Sequence, residues 1–305
     1  MFEFLSRLRP FGDRPWPLAA RWLILPLSLS AAVLLLRWAG LLQALELAAL
    51  DRWFQLRPLE ASEQRVLVVE IPEEDLQAAQ RWPLSDDQIA DLLEAILAAA
   101  PRAVGLDVYR DLDQPPGTER LRRLLASEAR LIGIEQLEDT ENIGVAPPPT
   151  LPPGQIGFNN VVTDLDGKVR RNVLYWHIGD QLHTSLSLRL ALLYLAAVEV
   201  RPQAAPNSDD LQLGQVVLPR LEKSTGGYVR PDTKGYQVLA NFRHPALVES
   251  VSMGDLLAGR VPPSRLRDRV VIVGSTAASL KDFAYIPYNT DLLGRLTPIY
   301  GVDLH

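Results

Sequence analysis

The sequence predicts an α/β fold: a mixed, largely parallel sheet flanked by helices, with an antiparallel hairpin insertion, preceded by a transmembrane helix. Three observations lead there. From residue 65 onward short β-branched runs alternate with helix-period segments, as in RVLVVEI at 65–71, DDQIADLLEAILAAA at 86–100 and AVGLDV at 103–108. A run without charge, WLILPLSLSAAVLLL at 22–36, lies between Arg21 and Arg37. TDLDG at 163–167 is turn chemistry between the strand-like stretches QIGFNNVV and KVRRNVLYWHI.

Residues 1–21 read as a cytoplasmic segment and residues 22–38 as the transmembrane helix. Fifteen uncharged residues span only about 22 Å at ~1.5 Å per residue, short of a hydrocarbon core of about 30 Å. Apolar residues 18–20, snorkelling of Arg21 and Arg37, and Trp16, Trp22 and Trp38 at the two interfaces make up the length. A cleaved signal peptide and a buried helix are the rival readings, and Arg37-Trp38-Ala39-Gly40 lacks a small-x-small cleavage pattern. Arg7, Arg9, Arg14 and Arg21 precede the run while only Arg37 and Arg52 follow closely. That asymmetry orients the N-terminus inside and the following domain outside.

Residues 39–63 form a juxtamembrane helix and linker. Leu42, Leu45, Ala49, Trp53 and Leu56 recur at three- and four-residue steps on a helix expected to continue out of the membrane until Pro58 stops it. Its apolar face either packs on the domain's own core or makes a homodimer seam within residues 39–57. Residues 64–305 are the extracytoplasmic domain. Beyond the elements already quoted, it contains a helix at 119–127, a strand at 130–134 and a polyproline-like crossing, PPPTLPP, at 147–153. A buried helix follows at 185–198, too short for a second span. Strands LQLGQVVL, GYQVLANF and RVVIVG complete the pattern, with Ser252 opening a helix through Leu257.

Composition bounds the chemistry. With 47% hydrophobic and 22% charged residues the chain buries a sizeable core. Residues 1–63 carry seven arginines against six acids, so of the overall net charge of −6 residues 64–305 hold −7. No basic stripe with interleaved aromatics occurs, which excludes a nucleic-acid partner. The absence of cysteine excludes disulfides, thiolate catalysis and Cys-ligated zinc.

No motif supplies catalysis. Asp164-Leu165-Asp166-Gly167 resembles a calcium loop, but with Gly167 at loop position six, positions one and twelve fall on Val162 and Val173. His177, His183 and Asp180 flank a short turn without a further ligand. Walker A, HExxH and GxSxG do not occur. No catalytic residue, metal or cofactor is therefore assigned. One stretch, VVIVGSTAASLKD at 270–282, ends a strand in Gly274, Ser275 and Thr276, where backbone donors and hydroxyls meet a ligand at the carboxyl edge of a parallel sheet. With Asp107 and Arg110 after another strand, and Asp282, these residues make the candidate site for a small polar or anionic ligand. The competing reading is that Ser275 caps a turn and Asp107 pairs with Arg110.

LDRWFQLR, RVLVVEIPEEDL, RWPLSDDQIADLL, AVGLDVYRDL, GFNNVVTDLDGKVRR, DRVVIVGSTAASLKD and YGVDLH, in this order across residues 40–305, resemble the type-two CHASE domain, the cyclase/histidine-kinase-associated sensory extracellular domain of bacterial membrane receptors. Pro72 stands where that family often has Asp, and Leu84-Ser85-Asp86 replaces Trp-Pro-Arg. The resemblance implies a sensor in a bacterial inner (plasma) membrane with its main domain periplasmic or extracellular, an unknown small-molecule ligand, and any cyclase or kinase output encoded beyond residue 305. The alternatives are a structural or dimerisation module without a small ligand and a periplasmic ester hydrolase.

Overall fold

The computed structural model describes residues 18–139, 143–289 and 298–305, with side chains from residue 22 onward. They divide into two compact units: residues up to Ala49 with Lys223–Pro231, and Leu50–Glu222 with Asp232–His305.

The first unit is built on α1 (Leu18–Trp38) and the opening turns of α2 (Gln43–Leu56). The single continuing helix expected from the sequence is broken. Gly40 adopts φ +80. Its N–H donates to Arg37 O (2.9 Å), and Leu41 N–H donates to Leu36 O (3.0 Å), the bond pair with which a left-handed residue closes a helix. Only glycine takes that conformation without strain. Lys223–Pro231 is tied to both helices. Arg37 donates to Gly226 O and pairs with Glu46, and Val229 N–H donates to Gln43 Oε1. No single helix among the described residues is long and apolar enough to cross a membrane; Trp22–Trp38 and Gln43–Leu56 reach that length and composition only as a bent pair.

Along α2 the facing also departs from the core-packing reading. Leu45 (69% exposed), Trp53 (76%) and Leu56 (68%) point away from the protein, with Ala49, whereas Leu47 and Asp51 are the buried positions. Periodicity located an apolar face correctly but could not say what it faces.

In the second unit the chain runs through β1 (Val66–Ile71), α3 (Glu73–Ala79), α4 (Asp86–Ala98), β2 (Ala103–Asp107), α5 (Thr118–Ser127), β3 (Leu131–Glu135) and β4 (Ile156–Phe158). It continues through β5 (Val162–Thr163), β6 (Val169–Ile178), β7 (Gln181–Thr184), α6 (Leu186–Ala196), β8 (Pro202–Ala204), β9 (Leu211–Leu213), β10 (Val216–Leu218) and β11 (Tyr236–Leu239). Last come β12 (Ser250–Ser252), α7 (Met253–Leu257), β13 (Val270–Ser275), β14 (Phe283–Ala284) and β15 (Ile299–Tyr300).

The main sheet has the order β12-β1-β13-β2-β3-β4, and every neighbouring pair is parallel. Parallel strands covered on both faces read as unbroken apolar runs, and β13 is buried at every position. On one face Leu67, Val69, Val271 and Val273 pack with Ile89, Leu93 and Ile96 of α4. On the other, Val68, Ile132 and Ile272 pack with Leu186 and Leu190 of α6. A capping box starts α4: Ser85 Oγ accepts from Gln88 N–H (3.3 Å) and Ser85 N–H donates to Gln88 Oε1 (2.9 Å). Ser185 and Ser252 cap α6 and α7 in the same way with their hydroxyls.

The hairpin expected from residues 155–178 is redistributed. Ile156–Phe158 joins the parallel sheet beside β3, and only Val162–Thr163 pairs antiparallel with β6. Gly157 accounts for this, because its bare Cα lets β4 lie against the backbone of Leu186 at the start of α6, where an added Cβ would stand 2.6 Å from Leu186 Cα. The turn itself is as expected: Gly167 has φ +80 and donates to Asp164 O (2.8 Å). β6 also pairs with β7 and β11, while β9 and β10 form a separate antiparallel sheet with β8.

Turn carboxylates and strand arginines form a buried ionic cluster. Arg170, whose side chain is 1% exposed, binds both oxygens of Asp51 from α2 (2.7 and 2.8 Å), Asp164 (2.8 Å) and Asp166 (2.5 Å). Lys168 reaches Asp51 (2.6 Å) and Arg171 reaches Asp164 (2.7 Å). The pair of aspartates that resembles a calcium loop is thus neutralised by arginine.

Candidate functional site

Because β2 and β13 are in register, Asp107 stands beside Gly274 and Ser275 beside Ile71 of β1, so three strand ends finish on one edge. A crevice of about 500 Å³ opens there, with Asp107, Tyr109, Asn159, Ser275, Asp282 and His305 among its lining residues. Ligands of open α/β sheets commonly lie at this carboxyl edge.

The polar groups of the crevice are linked. Tyr109 Oη donates to Asn159 Oδ1 (3.1 Å), Asn159 Nδ2 donates to Asp107 Oδ1 (3.4 Å), and His305 Nε2 lies 3.8 Å from Asp107 Oδ2. Asn160 is turned to the scaffold, accepting from Leu137 N–H and donating to Leu137 O. Asp282 is reachable by solvent, yet loss of hydration and the neighbouring Asp107 raise its carboxyl above the ordinary range, with His305 opposing. Among the described residues the lining contains no lysine or arginine, and His305 is its one basic side chain, so an entering cation or hydrogen-bond donor meets two carboxylates.

Of the residues singled out in the sequence, Asp107, Ser275 and Asp282 come together here. Ser275 Oγ is already engaged, donating to Ile71 O (3.2 Å) and accepting from Ala277 N–H (3.2 Å), which is the capping role. Thr276 is buried, and its N–H donates to Ile71 O (3.1 Å). Gly274 makes room for Val302: an added Cβ would sit 2.5 Å from Val302 Cγ2. Arg110 is elsewhere. Its guanidinium is buried, donates to Leu84 O (2.8 Å) and lies 3.7 Å from Asp86, while its Nε and Nη2 have no hydrogen-bond partner among the described residues. Burial is the first cause of its pKa falling to about 10. Arg110 therefore belongs to the packing at the start of α4 and does not pair with Asp107.

Sequence reasoning missed Asn159, Tyr109 and His305. Asn159 follows β4 directly, so assigning Ile156–Phe158 to the parallel sheet would have brought it to the same edge as Asp107. Among the described residues no group of three or more His, Cys, Asp or Glu is placed to hold a metal ion.

Near the crevice Asp303 is a second strained acid. Burial first, and then the charge of Glu70, push its carboxyl up to about 6. A raised folded-state pKa gives stability that is complete below the unfolded value and declines as pH rises through the folded one. Asp303→Asn is therefore expected to raise the thermal midpoint at pH 7.5 and to leave it nearly unchanged at pH 4, as read by differential scanning calorimetry at both pH values.

A family model described as CHASE2 domain matches residues 28–305. No curated protein matches the chain, and no solved structure does.

Proposed function

The chain belongs to the CHASE2 domain family, and on that premise we propose that it is the extracytoplasmic sensory part of a membrane-anchored bacterial signalling receptor, with the carboxyl-edge crevice as its ligand site. The arginine bias before the apolar run and the exposed apolar side chains of α1 support an anchor crossing at residues 22–38 with the N-terminus inside. The observation that carries the ligand site is the convergence of Asp107, Asn159 and Asp282 on a crevice at the ends of parallel strands. Its charge selects the ligand: a small polar molecule that donates hydrogen bonds or bears a positive charge, in place of the anion that Arg110 would have required. A hydrolase finds little support, since both recorded hydrogen bonds of Ser275 Oγ go to backbone groups.

The test uses the whole chain in nanodiscs and a library of small polar metabolites, screened by thermal shift. Cationic and neutral donors are expected to raise the melting midpoint, and Asp107→Asn with Asp282→Asn is expected to weaken any such hit at least tenfold while Arg110→Ala affects stability alone. Hits that survive the aspartate double variant would place the ligand outside this crevice.

A further inference from the structure

α2 is turned inside out relative to a helix on a water-facing surface. Three of its polar side chains, Gln43, Glu46 and Asp51, point into the protein on the same side as the buried Leu47. Gln43 Oε1 accepts from Val229 N–H (2.9 Å), Glu46 takes Arg37 (2.9 Å), and Asp51 is buried against Lys168 and Arg170. The outward face is Ala44, Leu45, Ala48, Ala49, Trp53 and Leu56, all exposed, with Arg52 the one charge among them. At 100° per residue these positions form one continuous half of the helix surface. A surface helix in water carries its charges outward and its leucines inward; an exposed apolar strip of this kind marks an interaction surface.

What covers it follows from its neighbour. Four residues separate α2 from α1, whose apolar side chains from Trp22 to Trp38 are also exposed, and the two helices are bent 87° at the break. The Gly40 closure fixes that bend in the backbone. A helix at a right angle to one that crosses a bilayer lies along the bilayer plane. An apolar half-cylinder with a tryptophan and a single arginine suits the boundary between headgroups and acyl chains, where indole rings settle and an arginine stem reaches the phosphates. We propose that the outward face of α2 is embedded in that boundary, so that the chain meets the membrane through two helices, one crossing and one lying flat. This rests on the anchor reading of residues 22–38.

The cysteine-free sequence allows single nitroxide labels without background. Leu45→Cys and Leu56→Cys report α2, Leu29→Cys reports α1, and Val217→Cys on β10 is the exposed reference. The whole chain is placed in nanodiscs of mixed phosphatidylcholine and phosphatidylglycerol, and the collision rates of each label with oxygen and with a water-soluble nickel chelate are compared. Labels at 45 and 56 are expected to favour oxygen severalfold, as at 29, with the reverse at 217. Nickel access at 45 and 56 equal to that at 217, with 29 still in lipid, overturns the proposal and leaves the anchor standing. Spin–spin broadening at 45 and 56 that vanishes on dilution with unlabelled chain overturns it in favour of a seam between two copies. Nickel access at 29 removes the anchor and this inference together.

Discussion

Arg170→Ala is expected to lower the stability of the sheet-bearing unit by about 3–5 kcal/mol, the range for removing one partner of a buried ion pair. The guanidinium is almost wholly enclosed, and its loss leaves two carboxylates, each with a side chain 5% exposed, with one cation apiece: Asp51 with Lys168 and Asp164 with Arg171. Arg170→Lys should recover only part, because an ammonium keeps the charge but not the planar fork that binds both oxygens of Asp51. A pH series separates this from simple loss of packing. The hydrogen bond from Arg170 is the first cause of the lowered pKa of Asp166. A depressed carboxylate gives stability present above its unfolded pKa and lost as pH falls through the folded value. The gap between wild type and Arg170→Ala should therefore narrow as the solution is acidified below the ordinary carboxylate range. Urea midpoints of the whole chain in detergent at neutral and acid pH measure it, and a gap that stays constant would mean that the arginine acts through packing alone.

The second large effect is expected at Gly157. An alanine Cβ there would stand 2.6 Å from Leu186 Cα, 2.8 Å from Leu186 N and 3.2 Å from Ser185 C. These are backbone atoms at the capped start of α6, so no side-chain rotation relieves the contact. The cost should reach the upper part of the overpacking range, about 3 kcal/mol. Gly154→Ala is the control: nothing lies within 4 Å of its added Cβ, and the change should stay within about 0.5 kcal/mol. Equal midpoints for the two variants would show that α6 can shift to admit a methyl group.

Gly157 also shows where the sequence stops being legible. The strands at 66–71, 103–107 and 270–275 are readable because burial on both faces demands a run of apolar residues, and the helices after Ser85, Ser185 and Ser252 are readable because their caps are local. Ile156–Phe158 is too short to carry a period, and it is its pairing with β3 and its close approach to α6 that place it in the parallel sheet. Assigning that stretch to the hairpin hid Asn159, and with it the hydrogen bond that Asn159 donates to Asp107 Oδ1. Arg110 misled for a related reason: position after a strand places a residue near the carboxyl edge, but the direction of a long side chain is decided by a distant acceptor, here Leu84 O. The spacing of Leu45, Ala49, Trp53 and Leu56 fixed a face without fixing what lies opposite it.

The Asp51 clasp limits how α2 can move. Two parallel bonds to one guanidinium and a third to Lys168 define the helix's angle about its own axis. Rolling the helix would pull a carboxylate out of a buried cationic seat, whereas moving it together with β6 keeps the bonds of Asp51. Asp51 therefore keys α2 against β6 in rotation, so one carboxylate sets which half of the helix is turned outward.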